Sequence, residues 1–369
     1  MVHVSYCLLA MLKNRKKFAA TFGGIITLLA TLLCSGTAVA KNVDATNSAF
    51  QYSGRIDFAN KAVPVLIWQG STVTARVKGN ALAFRFSGLE GNVYFDLTVG
   101  DTKAVLKATN GTVKSPLTLS EGWNTIALFK RSEASVGHVG FEGVVTDNGA
   151  QVAALPASNA KHRFIFYGDS ITAGACNEDG EEDQWGDFST HNNAKSYAAM
   201  VASDFSADYR NIAISGVGIS MGYQAYRIGQ VWDRYYPDPT APKADLSSYN
   251  PHVVFMNFGE NDDSFTTNKQ LPFPTDYTKR YTDLVREVRL AYPNSRIVIL
   301  RGGMFGGAKS TRLITAWKAV VKQMEAEDSQ LSHYVFDHWH NLHPRVENHR
   351  KMADELVAWL KTQTWFNQH

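Results

Sequence analysis

The stretch Phe164-Ile165-Phe166-Tyr167-Gly168-Asp169-Ser170-Ile171-Thr172-Ala173-Gly174 decides how the chain is read. Four apolar or aromatic residues run into a glycine, an acid and a serine, and small residues follow. That order predicts a buried strand, a tight turn carrying a hydroxyl, and the start of a helix. A strand end beside a helix N-terminus suits a nucleophile, because unpaired N–H groups there stabilise developing negative charge. Asp-Ser is equally an ordinary turn and N-cap pair. What separates the two readings is whether the rest of the chain supplies a base and an oxyanion site.

Downstream of Phe164, strand-like and helix-like runs alternate: Phe164–Phe166, Ala198–Phe205, Asn211–Ile214, Val253–Phe258, Tyr277–Tyr292, Ile297–Leu300, Ser310–Ala326, Tyr334–Phe336 and Glu347–Trp365. In the last of these, Met352, Leu356 and Leu360 recur every four residues, as on the core face of a helix. The alternation predicts an α/β fold with a parallel sheet covered by helices on both faces. Ligands in such sheets sit at the carboxyl ends of the strands. Ser170 follows the first strand, Gly216 in Asn211-Ile212-Ala213-Ile214-Ser215-Gly216 the second, and Asn261 in Gly259-Glu260-Asn261-Asp262 the third. His343, in Asn341-Leu342-His343-Pro344, lies between the last strand and the last helix. A hydroxyl, a backbone N–H, an amide and an imidazole on one sheet edge are what acyl transfer requires.

The half before Phe164 has a different pattern. From Gln51 to Val145 the apolar residues recur with period two: Val73, Ala75 and Val77; Leu82, Phe84 and Phe86; Phe95, Leu97 and Val99; Ile126 and Leu128. Turn pairs such as Gly79-Asn80, Gly100-Asp101 and Asn110-Gly111 separate these runs. Short alternating strands at this spacing predict an all-β sandwich. No titratable cluster with catalytic spacing falls within it, so it reads as a packing and accessory domain that contributes loops to a cleft or binds polysaccharide. Asp147-Asn148-Gly149 and the small, polar Ala150–Ala160 segment set the boundary between the halves.

The first forty residues stand apart. Lys13, Arg15, Lys16 and Lys17 precede an apolar run from Phe18 to Leu33, and Ala38-Val39-Ala40 offers a small-residue cleavage site. This is the form of a secretory signal, and Met11 would start a tidier one. Cys34 is a poor match to a lipoprotein site. Of the 369 residues, 37 are Lys or Arg and 34 are Asp or Glu; without the leader the balance becomes 33 to 34. The basic excess belongs to the leader, and no nucleic-acid footprint remains. Of the three cysteines only Cys176 lies beyond the leader, so no internal disulfide is expected. The domains expected are thus a signal peptide at 1–40, a β-sandwich at 41–155 and a catalytic domain at 156–369. The mature protein is expected to be secreted or periplasmic, with no membrane anchor.

Gly168-Asp169-Ser170-Ile171, Asn211 to Gly216, Gly259 to Asp262 and His343-Pro344 resemble, in order, the four sequence blocks of the SGNH (GDSL-type) hydrolases. The front half, with Val63-Pro64-Val65-Leu66-Ile67-Trp68-Gln69-Gly70-Ser71, Phe129-Lys130-Arg131-Ser132-Glu133 and Gly140-Phe141-Glu142-Gly143, is similar to the sandwich domain of carbohydrate esterase family 2, as is Ser215 to Ile219. The resemblance implies an N-terminal jelly roll joined to a three-layer α/β/α SGNH domain. It implies a serine esterase that takes O-acetyl groups from polysaccharide without a metal or other cofactor. On it, Ser170 is the nucleophile and His343 the base, with Gly216, Asn261 and the Ser170 N–H as the oxyanion hole. A lipid or aryl esterase, or a carbohydrate-binding protein with a decayed site, is the alternative.

Many SGNH enzymes carry Asp three residues before the catalytic histidine; here that position is His340. A backbone carbonyl is expected to hold the imidazole, with Asn341 and Asp337 as other candidates. Trp185 and Trp339 are candidate substrate contacts, and Tyr223 and Phe265 lie in loops that could rim the site. The histidines 333, 338, 340, 343 and 349 are read as one catalytic residue among packing or surface ones rather than as a zinc site. Asp262 and Asp263 are expected to cap or turn the segment after the third strand. Residues 176–193 form a long polar loop on the active edge, and Cys176 is read as packing.

Overall fold

The computed structural model describes residues 40–367, so the expected leader lies outside the described residues apart from Ala40. Two antiparallel sheets come first. One runs in the order Ile56–Asp57, Val65–Leu66, Gly137–Asp147, Leu82–Gly91, Gly111–Lys114, with Ala40–Asp44 paired onto Gly137–Asp147. The other runs Gln151–Ala153, Thr72–Lys78, Asn124–Lys130, Tyr94–Val99, Thr102–Lys107, and Gln51–Ser53 also pairs with Thr72–Lys78. The period-two residues fill the space between the sheets: Val73, Ala75, Val77, Leu82, Phe84, Phe86, Phe95, Leu97, Val99, Ile126 and Leu128 share one core with Phe141. Alternation sends every second side chain to that core and leaves the others toward solvent.

The second half is a five-stranded parallel sheet in the order Asp208–Ala213, Arg163–Gly168, Val253–Asn257, Arg296–Arg301, Leu331–Val335. Its central strands are apolar on both faces because both are covered. Ile165 and Tyr167 point into one core with Tyr281, Leu284, Val288 and Trp317 from helices Tyr277–Ala291 and Thr311–Glu327. Phe164 and Phe166 point into the other with Tyr197, Val201, Met352, Leu356 and Leu360 from helices Tyr197–Asp204 and Val346–Thr362. Each such side chain, fully buried, contributes about 1.5–3 kcal/mol. Among the described residues no helix is long and apolar enough to cross a membrane.

Two short helices escape the sequence pattern, Glu260–Asn268 and Phe305–Lys309. The first is polar along its length and the second is glycine-containing, so neither carries an apolar stripe. The last strand also begins earlier than its apolar residues suggest, at Leu331.

The two halves share polar and apolar contacts. Ile67 and Trp68 extend into the core formed by Ile165 and Tyr167. Trp68 Nε1 donates to Tyr235 O at 2.7 Å, and the buried Arg55 donates to Trp232 O at 2.6 Å and to the Tyr167 hydroxyl at 3.2 Å. The front half therefore does more than sit alongside the parallel sheet: it completes one of its two cores.

Candidate active site

Gly168 ends the strand Arg163–Gly168 at a point where only glycine fits, since a Cβ would lie 2.1 Å from Thr172 Oγ1. Asp169 is the N-cap of the short helix Ser170–Ala173, its Oδ1 accepting from Ile171 N–H at 3.1 Å. The turn and N-cap reading of Asp-Ser is thus correct for the aspartate, and it leaves the serine free for chemistry. Burial and the nearby Glu260 push the Asp169 carboxyl well above the usual carboxylate range. Neither the Ser170 N–H nor the Gly216 N–H donates to another group among the described residues.

Ser170 Oγ lies 2.8 Å from His343 Nε2. On the other side of the ring, His343 Nδ1 lies 2.6 Å from Asp183 Oδ2. Burial opposes ionisation of Asp183, but hydrogen bonds from His343 and Arg345 outweigh it and hold the carboxyl well below its usual range. An ionised carboxylate only accepts, so Nδ1 carries the proton and Nε2 is left to accept from the serine hydroxyl. That is the tautomer a general base needs.

Asp183 corrects the expectation of a backbone carbonyl, Asn341 or Asp337 as the group behind His343. Asn341 and Asp337 are exposed, and the Asp337 N–H donates to Glu355. His340 turns to its own loop, its Nδ1 accepting from Leu342 N–H at 3.2 Å. Asp183 comes from the 176–193 loop, 160 positions before the histidine. No local spacing announces it; the loop's acidic character and its place on the active edge were the available signals. Arg345, two residues past His343, anchors the loop by donating to Asp183 Oδ1 at 2.8 Å, Gly180 O at 2.8 Å and Cys176 O at 3.1 Å.

The sheet order places the remaining expected residues beside the serine. Gly168 pairs with Ala213 on one side and with Asn257 on the other. The chain then turns through Gly216 and Asn261 on the two neighbouring strands' carboxyl ends. Gly216 has φ +79°, a conformation glycine adopts freely. Asn261 is buried in the first turn of its helix, and its Nδ2 donates one proton to Val217 O at 3.0 Å. An amide nitrogen carries two, so one donor remains.

Trp185 stands edge-on to His343, 4.8 Å between ring centres, and is partly exposed. Trp339 packs with Phe305 and under Lys309. Tyr223 and Phe265 meet edge to face at 5.3 Å. Asp262 and Asp263 cap nothing locally. Asp262 accepts from Ile219, Ser220 and Met221 N–H groups at 2.7–2.9 Å, tying the third block to the second, and Asp263 pairs with Arg312 at 2.8 Å. Glu260 accepts from Gly306 and Gly307 N–H groups.

The tail histidines disperse. His333 pairs with Glu325, His338 accepts from Asn348, and the buried His349 accepts from Tyr197 N–H at 3.2 Å. Among the described residues the one set with metal-ligand proximity is Cys176, Asp183 and His343, two of which already bind each other. Cys176 is buried, with Sγ 3.5 Å from His191 Nε2.

Residues 52–156 match the family described as Carbohydrate esterase 2 N-terminal, and residues 166–357 match the GDSL-like Lipase/Acylhydrolase family. The chain belongs to carbohydrate esterase family 2 of the GDSL-type (SGNH) hydrolases. It is 30% identical over 332 residues to the cellulase/esterase CelE of Acetivibrio thermocellus, covering 87% of this chain and 40% of that protein. It is 26% identical over 362 residues to the acetylxylan esterase / glucomannan deacetylase of Cellvibrio japonicus, covering 91% and 97%. The solved family two carbohydrate esterase from Clostridium thermocellum in complex with cellohexaose has a TM-score of 0.75 at 28% identity, covering 86% of this chain and 99% of that one. The family two carbohydrate esterase from Cellvibrio japonicus has a TM-score of 0.76 at 21% identity, covering 89% and 98%, and shares the fold. Family 2 esterases are carboxylic-ester hydrolases, and the two-part architecture of this member follows both halves of the match.

Proposed function

We propose that this esterase removes O-acetyl groups from a plant-type polysaccharide, acetylated xylan or mannan, through an acyl-enzyme on Ser170. The observation that carries the reading is the single imidazole joining Ser170 Oγ to the Asp183 carboxylate. Ser170 Oγ attacks the acetyl carbonyl as His343 Nε2 takes its proton, and Asp183 stabilises the imidazolium that results. The oxyanion is held by the N–H groups of Ser170 and Gly216 and by Asn261 Nδ2. Collapse expels the sugar hydroxyl, protonated by His343. A water then enters by the same base, attacks the acetyl-serine, and acetate leaves. Trp185, edge-on to His343, and Trp339 offer faces on which sugar rings stack.

The acetyl-polysaccharide substrate is supported by the similarity to the acetylxylan esterase / glucomannan deacetylase of Cellvibrio japonicus, and a polysaccharide ligand by the cellohexaose held by the Clostridium enzyme. A secreted or periplasmic location suits a polymeric substrate and the leader-like residues 1–40. Acetate release measured across acetylated xylan, glucomannan and chitin-derived glycans tests the assignment. Release from xylan or glucomannan in preference to long-chain aryl esters supports it. Activity that climbs with acyl chain length replaces it with the lipid or aryl esterase reading, and binding without turnover of a small acetyl ester replaces it with the decayed-site reading.

A further inference from the structure

The segment Lys130–Glu133 joins the strand Asn124–Lys130 of the front β domain to the turn that follows, and all four side chains are buried. Two of them reach out of the sandwich into the loops that carry the acyl-transfer groups. Glu133 Oε2 accepts from the Ser215 N–H at 2.9 Å. Arg131 donates to Ser189 O at 2.8 Å, to His191 O at 3.3 Å and to the Glu178 carboxylate, while its own carbonyl accepts from Asn193 N–H.

Resting on the acyl-transfer reading, we propose that Arg131 and Glu133 of the front β domain are positioning residues of the esterase site. Glu133 fixes the N–H side of Ser215, the residue whose following peptide presents the Gly216 N–H, and Arg131 fixes the base of the loop that presents Asp183.

The first arm acts on the two peptide planes that meet at Ser215. The Ser215 carbonyl and the Gly216 N–H are opposite ends of the same peptide, so whatever holds one aims the other. Gln224 Nε2 donates to that carbonyl at 2.7 Å, and Glu133 holds the N–H of the same Ser215 residue. Ser215 is thus gripped on both sides, one grip from each half of the chain. A donor on the carbonyl also polarises the peptide and strengthens its N–H as a donor. Gly216, at φ +79° and without a side chain to pack, is held on its far side through its carbonyl, which accepts from the Tyr223 N–H at 2.8 Å and the Gln224 N–H at 3.2 Å; its N–H side is set by the Ser215 peptide.

The second arm acts on a long loop. Residues 176–193 are tied near Asp183 by Arg345, but their return end is tied by Arg131. Arg131 is set by Asp96 at 2.8 Å, on the neighbouring strand of the sandwich. Its planar fork spans several acceptors at fixed angles, which a lysine at the same place does not reproduce. Lys130, fully buried behind Glu133, donates to Ser132 O at 2.7 Å and Glu133 O at 3.2 Å and stiffens the segment. Arg55 and Trp68 join the halves through other segments, Tyr167, Trp232 and Tyr235, so the bonds of Arg131 and Glu133 are not needed merely to keep the halves together.

The test is steady-state kinetics of the full chain on a soluble aryl acetate, with folding followed by circular dichroism. Glu133→Leu and Gln224→Met are expected to lower kcat by about 10-fold or more with KM changed by less than about threefold, the signature of a donor lost from the transition state. Glu133→Gln, which keeps an oxygen for the Ser215 N–H, is expected to recover most of the loss. Arg131→Met is expected to lower kcat and to be non-additive with Asp183→Asn, because both act through the same carboxylate. Gln224 is partly exposed, so its variant carries the first arm if a Glu133 variant fails to fold. Wild-type kcat in Gln224→Met, a Glu133→Gln defect equal to that of Glu133→Leu, or full additivity of Arg131→Met with Asp183→Asn would overturn the proposal. Ser170→Ala is run alongside. If it stays active, the acyl-transfer reading itself fails; if it is dead while the other variants are normal, only the positioning role does.

Discussion

Asp183 Oδ2 sits 2.6 Å from His343 Nδ1, joining a loop and a helix entry that lie 160 residues apart. The contact lines up a serine, a histidine and a carboxylate, the set that acyl transfer requires, even though position 340, where the acid is expected from the sequence, is a histidine. Arg345 completes it by holding the second carboxylate oxygen.

Asp183→Asn should lower kcat by about 10²–10⁴-fold, because the amide stabilises neither the imidazolium nor the correct tautomer. KM for a small acetyl ester should stay within a few-fold. Asp337→Asn and Asn341→Ala, at exposed positions with no contact to the imidazole, should leave kcat near wild type. Parallel steady-state assays of the three variants decide which group supports His343.

Asn261→Ala should lower kcat by about 10²–10³-fold, some 2.7–4 kcal/mol of transition-state stabilisation. The loss should appear in kcat and in kcat/KM together, since the donor is engaged only by the oxyanion. A change confined to KM would instead place Asn261 on the ground-state substrate.

Much of the architecture was open to sequence reasoning because it rests on local periodicity. Val73, Phe84, Phe95 and Ile126 announce the sandwich through alternation, and Phe164 to Tyr167 announce a strand buried on both faces. Ser170, Gly216, Asn261 and His343 could be placed on one edge because each follows a strand, and a parallel sheet puts those ends together. Asp183 and Glu260 were out of reach for the opposite reason. Their partners, His343 and Gly306-Gly307, are set by how loops fold back over the sheet, and nothing in their neighbouring residues encodes that return. Arg131 and Glu133 lie within the Phe129–Glu133 motif, but their reach across to Ser215 and Ser189 depends on the packing of the two halves.

Trp339→Ala should weaken use of an acetylated polysaccharide, raising its KM several-fold, while leaving turnover of a small aryl acetate unchanged. Trp185→Ala should affect both substrates, because its ring also packs edge-on against His343. Comparing polymer and small ester for each variant separates sugar stacking from support of the base.

Burial lowers the Lys130 ammonium to about 7, with the Glu133 charge acting in the opposite sense. An unfolded lysine keeps its proton up to about 10.4, so between these values the unfolded chain binds the extra proton. Stability should therefore rise with pH from 7 to 9, at up to about 1.4 kcal/mol per pH unit from this group. Urea unfolding of the wild type and Lys130→Met at pH 7, 8 and 9 should show the gap between them changing with that sign. Curves that stay parallel would mean that Lys130 keeps its charge when folded.

The most direct measurement is acetate release from acetylated xylan or glucomannan by wild type and Ser170→Ala, at matched concentration of folded protein. The predicted result is rapid release by the wild type and a loss of at least about 10³-fold in the variant, with the circular dichroism spectrum unchanged. Release by a well-folded Ser170→Ala within about tenfold of wild type would contradict the assignment of Ser170 as the nucleophile.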